Sequence, residues 1–427
     1  MFERFVTGTS AGLMALARTT NLVDSQKPFF CLSCSFWNLV TKFRRHSSLS
    51  PTTEPQSLFH ERPLGFVFDL DGVLFRGPEP LPQAFYALSK LYFPCRKRPR
   101  FPLAFLTNGG GMTEGKRAEK LSDLLGYQIT ADQVVMAHTP MMSLVQAYRT
   151  AAVVVCGKGT PLEVAASYGF ENAASTEELA ELHPSAVPLC FSLGFQAPPL
   201  TASCPRRTPA SPFVGRAGRG GSGGGRLRSS GFATADDPVR AVLVMTDPTD
   251  WGRDVQLIAD LVASGGVIEG RPPVPSGPVK VFFGHSDLLW AAEFPRPRFG
   301  LGAFALALEV LYERATGEPL PSEYFGKPRL PAFREAERSL LGQARRMAAG
   351  SGGPAPALEA IYMFGDNPPV DIRGAKAAAA EGLPWRSVLV RTGVFQEGAN
   401  SDTDPADIVA SDVSEAVSMA LKRSCVL

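Results

Sequence analysis

Short apolar runs alternate with helix-like stretches along most of the chain from residue 65 onward, and this alternation constrains its fold more than any other feature. Seven runs are typical of buried strands: GFVFDL (65–70), PLAFLTN (102–108), AVVVCG (152–157), AVLVMTD (241–247), KVFFG (280–284), AIYMFGD (360–366) and RSVLVRTG (386–393). The stretches that predict helices include 115–125, 255–264, 302–315 and 372–380. Strands that alternate with helices form parallel sheets, so the sequence predicts a doubly wound α/β fold.

Length and composition restrict the class of protein. A chain of 427 residues is long enough for two or three domains. Its 43 Lys and Arg nearly balance its 41 Asp and Glu, which argues against dedicated nucleic-acid binding. No run of apolar residues is long enough to predict a transmembrane helix. Seven scattered cysteines favour a reducing compartment, and the lone CxxC of Cys31 and Cys34 lacks the partners of a zinc site.

Two segments depart from the alternating pattern. Residues 1–60 are basic, rich in Ser and Thr and poor in acids, which fits an organelle transit peptide and, equally well, a disordered extension. Residues 204–231, within a stretch (187–231) of unusual composition, hold six arginines, eight glycines and no acid. Such a tract cannot bury enough apolar surface to fold, so we predict a disordered insertion. Contact with RNA or with an acidic membrane surface, and translated non-coding sequence, are alternatives for it.

The motif FDLDGVL contains the strongest chemical signal. Asp69 and Asp71 end an apolar strand, and Gly72 turns the chain after them. Two carboxylates this close are costly to bury unless a cation compensates them, and Mg²⁺ prefers such oxygen ligands. The spacing suits Asp69 as nucleophile and metal ligand and Asp71 as a neighbouring acid and base. A DxDG motif also occurs in calcium-binding loops.

A second motif, FLTNGGG, also lies at the end of a predicted strand. It places Thr107, Asn108 and Gly109 where a hydroxyl, an amide and backbone N–H groups can bind phosphoryl oxygens. Further on, Gly110, Gly115 and Lys116 imitate a nucleotide-binding P-loop. Arg117 stands where that loop needs Ser or Thr, which argues against an ATPase.

Two later motifs supply a cation and another acid pair. Lys327 lies in the loop FGKP, where its ammonium can neutralise negative charge that develops on a phosphoryl group. Asp366 ends the strand of FGDNPPVD, and Asp371 follows five residues later. This acid pair can complete a metal site and orient Lys327.

With these four motifs, the sequence resembles the haloacid dehalogenase (HAD) superfamily of aspartate-dependent phosphohydrolases. The long interval between FLTNGGG and FGKP resembles the class IIA subgroup, which inserts an α/β cap there. HTP (138–140), TDPTDW (246–251), SDLLW (286–290) and RFGLGAF (298–304) resemble a mitochondrial branch of that subgroup, the cat eye syndrome critical region protein five-like hydrolases. The resemblance covers residues 64–423 apart from 187–231.

The resemblance implies a role for each matched residue. Asp69 would attack phosphorus to give an aspartyl-phosphate, and Asp71 would protonate the leaving alkoxide and later activate water. Thr107 would hydrogen-bond the phosphoryl group, and Lys327 would screen the charge of the nucleophile.

The resemblance also implies a cofactor and further contacts. Mg²⁺ would bind the Asp69 carboxylate, the Asp71 carbonyl and Asp366, with Asp371 outside the direct ligand set. Asn108 and Gly109 would contact the substrate.

The predicted architecture is an α/β, Rossmann-like HAD core with an inserted α/β (C2-type) cap. The core comprises residues 61–145 and 285–427, and the cap comprises residues 146–284. The predicted function is magnesium-dependent hydrolysis of a small phosphorylated metabolite, or of an accessible phosphate on a larger molecule. A non-catalytic mitochondrial scaffold that keeps the fold is the alternative. Localisation would be mitochondrial, otherwise cytoplasmic, and an oligomer is possible.

Two groups of residues keep open interpretations. His138, before Pro140, fits a structural hydrogen-bonding role better than a catalytic one. His285, Asp287 and Trp290 lie where the cap should rejoin the core, and they fit either a substrate-facing surface or a hinge.

Overall fold

The structure is a computed structural model, and it describes residues 63–93, 98–191, 232–233, 237–268, 277–290, 294, 296–349 and 357–424. The predicted transit peptide (1–60), the Cys31–Cys34 pair and the Arg/Gly tract (204–231) lie outside these residues.

The described residues form strands and helices that alternate along much of the chain. The strands are β1 (Gly65–Phe68), β2 (Phe75–Arg76), β3 (Glu79–Pro80), β4 (Leu103–Leu106), β5 (Val134–Val135), β6 (Val153–Cys156), β7 (Ala173–Ser175), β8 (Ala241–Val244), β9 (Lys280–Phe283), β10 (Leu289–Trp290), β11 (Arg298–Phe299), β12 (Ser322–Tyr324), β13 (Ile361–Gly365), β14 (Trp385–Val390) and β15 (Ile408–Ala410). The α-helices are α1 (Pro82–Leu91), α2 (Glu114–Leu125), α3 (Val145–Tyr148), α4 (Pro161–Tyr168), α5 (Thr176–Leu182), α6 (Pro188–Phe191), α7 (Trp251–Ala263), α8 (Leu301–Thr316), α9 (Leu330–Ala349), α10 (Arg373–Ala380) and α11 (Val413–Arg423). Short 3₁₀ segments cover Ala131–Gln133, Thr139–Leu144 and Pro184–Ala186, and a π-helical turn covers Pro368–Ile372.

The first sheet has six parallel strands in the order β15-β14-β13-β1-β4-β5. From β1 the chain proceeds outward through β4 to β5, and it later returns beside β1 as β13 and proceeds the other way. The order therefore reverses between β1 and β13. Open α/β sheets bind ligands outside the carboxyl ends of their strands at such a reversal.

Helices cover both faces of the first sheet. One face packs against α1, α2 and α11, and the other packs against α9 and α10. All four residues of β1 are buried because both faces are covered, which explains why this strand reads as a continuous apolar run. The expected α/β fold with parallel sheets is confirmed.

The second sheet has five parallel strands in the order β12-β9-β8-β6-β7, again covered by helices. The predicted cap ended at residue 284, and the predicted core resumed at residue 285. The second sheet extends about forty residues beyond that boundary, because Ser322–Tyr324 pairs with β9. This edge strand is short and half polar, so it lacks the apolar run that marked the other strands.

Among the helices that the structure describes, none combines the length and the apolar character needed to cross a bilayer.

Candidate active site

Three buried carboxylates meet where the first sheet reverses its strand order. Asp69 directly follows β1, Asp366 directly follows β13, and Asp371 lies in the π-helical turn after it. One oxygen of each carboxylate lies within 4.8 Å of the others. The chain returns to β13 almost 300 residues after β1, so the parallel sheet itself brings the two acid-bearing strand ends together.

Lys327 supplies the cation among these carboxylates. It follows β12, so the second sheet positions it, and its side chain is only 2% exposed. Its Nζ lies 2.7 Å from Asp69 Oδ1 and 2.7 Å from Asp371 Oδ1. Burial alone would lower the pKa of Lys327, but the two carboxylates raise it above its ordinary value, so the ammonium is charged.

The backbone around Asp366 fixes the direction of its carboxylate. The N–H of Val394 donates to Asp366 Oδ2 at 2.5 Å. A Cβ at either Gly72 or Gly393 would overlap this carboxylate, and Gly72 also has a φ of +83°. Only glycine lets both loops approach so closely. One Asp366 oxygen is therefore held by the protein, and the other is left for a ligand.

Asp371 has both of its oxygens engaged within the protein. Oδ1 accepts a hydrogen bond from Lys327, and Oδ2 accepts one from the N–H of Asn367 at 3.1 Å. Its side chain is fully buried. These contacts suit a residue that orients Lys327.

The electrostatics of the site fit a divalent cation. Burial raises the pKa of Asp69 well above its usual range, although Lys327 acts against that rise. Burial and the nearby Asp371 raise the pKa of Asp366 to about 7. Three ionised carboxylates with one ammonium would carry a net charge of −2, which is costly without further positive charge. Oxygen ligands and this charge deficit match Mg²⁺, so the residues fit the predicted metal.

Thr107, Asn108 and Gly109 follow β4 and border the carboxylates. Thr107 Oγ1 accepts a hydrogen bond from the N–H of Gly109 at 2.9 Å, which leaves the hydroxyl proton free to donate. The Asn108 amide donates to Asp287 Oδ2 at 2.9 Å and to the carbonyl of Lys327 at 3.1 Å. Asn108 Oδ1 accepts from the N–H of Lys327 at 2.9 Å. The Asn108 side chain thus positions the lysine loop, and substrate contacts by Asn108 and Gly109 stay a prediction.

Asp71 is exposed beside this cluster, and a cation lies near it that sequence reasoning did not assign to the site. Burial lowers the pKa of Arg117, while the charges of Asp71 and Asp69 act in the opposite direction. The Nε of Arg117 is buried, and the described residues give it no hydrogen-bond partner. In the sequence, only the mismatch of Arg117 to the P-loop pattern drew attention to this residue.

The carboxyl edge of the second sheet faces the same site. Lys158 and Asp247 follow β6 and β8, and their side chains pair at 2.9 Å. His285 follows β9; its Nδ1 lies 3.5 Å from Asp287 Oδ2 and accepts a hydrogen bond from the N–H of Asp287 at 3.2 Å. Burial lowers the pKa of His285, which favours the neutral ring. Because Asp287 contacts Asn108 of the FLTNGGG loop, the residues from His285 to Asp287 border the site.

His138 is a buried structural residue, as its interpretation favoured. Its Nδ1 lies 2.6 Å from the hydroxyl of Tyr168, and that hydroxyl donates to Glu114 Oε1 at 2.5 Å. Burial lowers the pKa of His138 to about 4, so the ring is neutral near pH 7. The network connects helix α2, which packs on the first sheet, with helix α4, which packs on the second.

Comparison with known proteins identifies the family. A model described as haloacid dehalogenase-like hydrolase matches residues 66–171, and one described as HAD-like hydrolase matches residues 324–416. A mitochondrial hydrolase of Saccharomyces cerevisiae is 30% identical over 381 residues, which cover 84% of this chain and 96% of the yeast protein. The chain is a haloacid dehalogenase-like hydrolase. The two matched segments contain six residues of the candidate site: Asp69, Asp71, Thr107, Lys327, Asp366 and Asp371.

One further relative and two solved structures are similar to this HAD-like hydrolase. A fusion protein of cardiolipin synthase (CMP-forming) and mitochondrial hydrolase from Schizosaccharomyces pombe is 31% identical over 400 residues; the match covers 91% of this chain and 58% of the fusion protein. The p-nitrophenyl phosphatase of Archaeoglobus fulgidus is 16% identical with a TM-score of 0.52, over 84% of this chain and 99% of that one. A hypothetical protein of Pyrococcus horikoshii OT3 is 17% identical with a TM-score of 0.51, over the same shares. These two solved structures share the fold.

Proposed function

We propose that this HAD-like hydrolase is a magnesium-dependent phosphatase that cleaves a phosphomonoester through an aspartyl-phosphate on Asp69. The carboxylate of Asp69 carries the proposal: it lies 2.7 Å from the Lys327 ammonium and beside Asp366 and Asp371. A carboxylate held against a buried cation at the carboxyl end of a strand is positioned to attack and is partly relieved of its charge.

The residues divide the reaction between them. Asp69 Oδ forms a bond to phosphorus while the bond from phosphorus to the leaving oxygen breaks, and Asp71 gives that oxygen its proton. Asp71 then takes a proton from the water whose oxygen attacks phosphorus, and Asp69 is released. Lys327 stays charged throughout and opposes the negative charge on the nucleophile. The free proton of the Thr107 hydroxyl donates to a phosphoryl oxygen.

Asp69, Asp366 and the backbone carbonyl of Asp71 would hold the Mg²⁺. When bound, it supplies positive charge against the phosphoryl oxygens. Asp371 orients Lys327 instead of binding the ion, because both of its oxygens already accept hydrogen bonds.

Proton and metal should compete for these carboxylates. The raised pKa of Asp366, about 7 against 3.8 in an unfolded chain, means that the folded protein holds a proton which the unfolded chain has lost. Between about pH 4 and pH 7 that group therefore lowers the free energy of unfolding as pH rises. Mg²⁺ replaces the proton, so we expect it to raise the melting temperature more at pH 8 than at pH 5. Equal increments at the two pH values, measured by differential scanning fluorimetry, would contradict the assignment.

The substrate lies under a cap built on the second sheet, the arrangement of class IIA hydrolases, and the site of action is mitochondrial. The names of the two yeast relatives support the location. The fission-yeast fusion to cardiolipin synthase supports a phosphorylated lipid headgroup as one substrate class, beside small phosphorylated metabolites.

Phosphate release tests the proposal. The panel contains p-nitrophenyl phosphate, glycerol phosphate, other small phosphomonoesters and phosphatidic acid in vesicles, each with Mg²⁺ and with a chelator. We expect turnover that the chelator abolishes. A folded protein that binds Mg²⁺ and releases no phosphate from any compound would favour the scaffold alternative.

A further inference from the structure

Five large apolar side chains lie exposed within one short hairpin. Leu288, Leu289, Trp290, Phe294 and Phe299 are 48%, 46%, 43%, 56% and 70% exposed. We call these five residues the hairpin patch. Scattered apolar residues on a surface are ordinary, but several large ones concentrated in one short segment are not, and such a concentration often marks a surface that another body covers.

The hairpin is a ribbon of two strands, β10 and β11, that pairs with neither main sheet. Leu289 lies opposite Phe299, and directly opposed residues in an antiparallel pair share a face. The base of the ribbon is fixed, because the N–H groups of Gly300 and Gly302 donate to the carbonyls of Leu288 and Asp287. Trp290 and Arg298, the next opposed pair, share the other face, because successive side chains of a strand alternate. A fixed base, and one face that carries the exposed side chains of Leu289 and Phe299, suit docking onto another surface.

Charge indicates which surface. Arg296 and Arg298 are exposed beside the patch, and the Arg298 guanidinium lies 4.7 Å from the centre of the Phe294 ring. Glu293 is the only acid between residues 288 and 299, so this segment carries a net charge of +1. Trp, Phe and Leu beside Arg is the composition of segments that bind the interface of a bilayer, and anionic lipids attract Arg side chains near that interface.

Location connects the patch with catalysis. Asp287 immediately precedes it and accepts the hydrogen bond of Asn108, which in turn holds the loop of Lys327. The Lys158 ammonium, at the carboxyl edge of the second sheet, lies 5.8 Å from the centre of the Trp290 ring. A surface that covers the patch therefore adjoins the mouth of the active site.

We propose that the hairpin patch docks onto an anionic bilayer surface and so presents the active site to phosphomonoesters carried by lipid headgroups. The choice of substrate rests on the proposed phosphatase function, whereas docking itself does not. Another exposed apolar group, Leu306, Val310 and Leu311 on α8, serves as a comparison because those residues do not belong to the hairpin.

Vesicle flotation of the full chain tests docking. The vesicles contain phosphatidylcholine alone or phosphatidylcholine with phosphatidylglycerol. We expect wild type to float with the anionic vesicles only, with weaker binding at high salt, and the double variant Leu289→Asp/Phe299→Asp to bind at least about tenfold more weakly. The control variant Leu306→Asp should bind like wild type. Hydrolysis of soluble p-nitrophenyl phosphate should be unchanged in both variants, so that a failure of docking and a failure of catalysis are distinguishable.

Several results would overturn the proposal. These are absence of wild-type binding, equal binding by the double variant, and equal loss in the Leu306→Asp control. A wild-type dimer that fails to bind vesicles, and that the double variant converts to monomer in size-exclusion chromatography, would assign the patch to a second copy of the chain. If the double variant does not fold, Arg296→Ser/Arg298→Ser replaces it, and unchanged binding to anionic vesicles by that variant also contradicts the proposal.

Discussion

Asp69→Asn should reduce phosphate release by at least about 10³-fold, because the amide cannot form the aspartyl-phosphate and removes one carboxylate from the proposed metal site. The substitution keeps the shape of the side chain, and its amide oxygen can still accept a hydrogen bond from Lys327. Turnover is measured with Mg²⁺ on the best compound of the panel. Asp402→Asn, at an exposed carboxylate far along the chain, is the matched control and should leave turnover unchanged.

The same variant should be at least as stable as wild type without Mg²⁺. Burial and the neighbouring Asp371 and Asp366 raise the pKa of Asp69, so its charge opposes folding at neutral pH. Catalytic sites often hold such destabilising charges. Full activity of Asp69→Asn in a preparation free of contaminating phosphatase would refute the mechanism. A variant that is inactive because it is unfolded would be recognised by its lost melting transition.

The sequence predicted those parts of the fold that depend on local pattern. All seven apolar runs contain strands. A parallel strand that is covered on both faces needs continuous apolar residues, so such a run is visible in the sequence, and a turn follows it directly. Asp69, Thr107 and Asp366 could be placed at strand ends for the same reason. These three residues lie close together because of the order of the strands in the sheet. The alternating pattern predicted a doubly wound sheet but did not specify that order.

Contacts between distant segments could not be read from the sequence. The partner of the Asn108 amide is Asp287, 179 residues away, and no spacing rule relates the two. Strand β12 escaped prediction because three half-polar residues at a sheet edge show no apolar run. Its position matters, because it makes the second sheet, and not the first, the support of Lys327.

Lys327→Met should remove activity and also destabilise the fold. The Lys327 ammonium lies within hydrogen-bond distance of both Asp69 and Asp371 and balances their charge. The substitution removes this positive charge from the two buried carboxylates. Removing one partner of a buried ion pair costs about 3–5 kcal/mol. Loss of charge compensation on the nucleophile should lower turnover by at least about 10²-fold.

The matched control is Lys158→Met, which breaks a single ion pair with Asp247 in which the lysine side chain is 49% exposed. A pair of that kind contributes less than about 1 kcal/mol, so its melting temperature should stay near that of wild type. Carboxylates that lose Lys327 can take up protons instead, and the destabilisation by Lys327→Met should therefore be larger at pH 8 than at pH 5. Because Mg²⁺ replaces part of the missing charge, it should stabilise Lys327→Met more than it stabilises wild type. Equal melting temperatures of the two lysine variants at pH 8 would show that Lys327 does not balance the charge of the site.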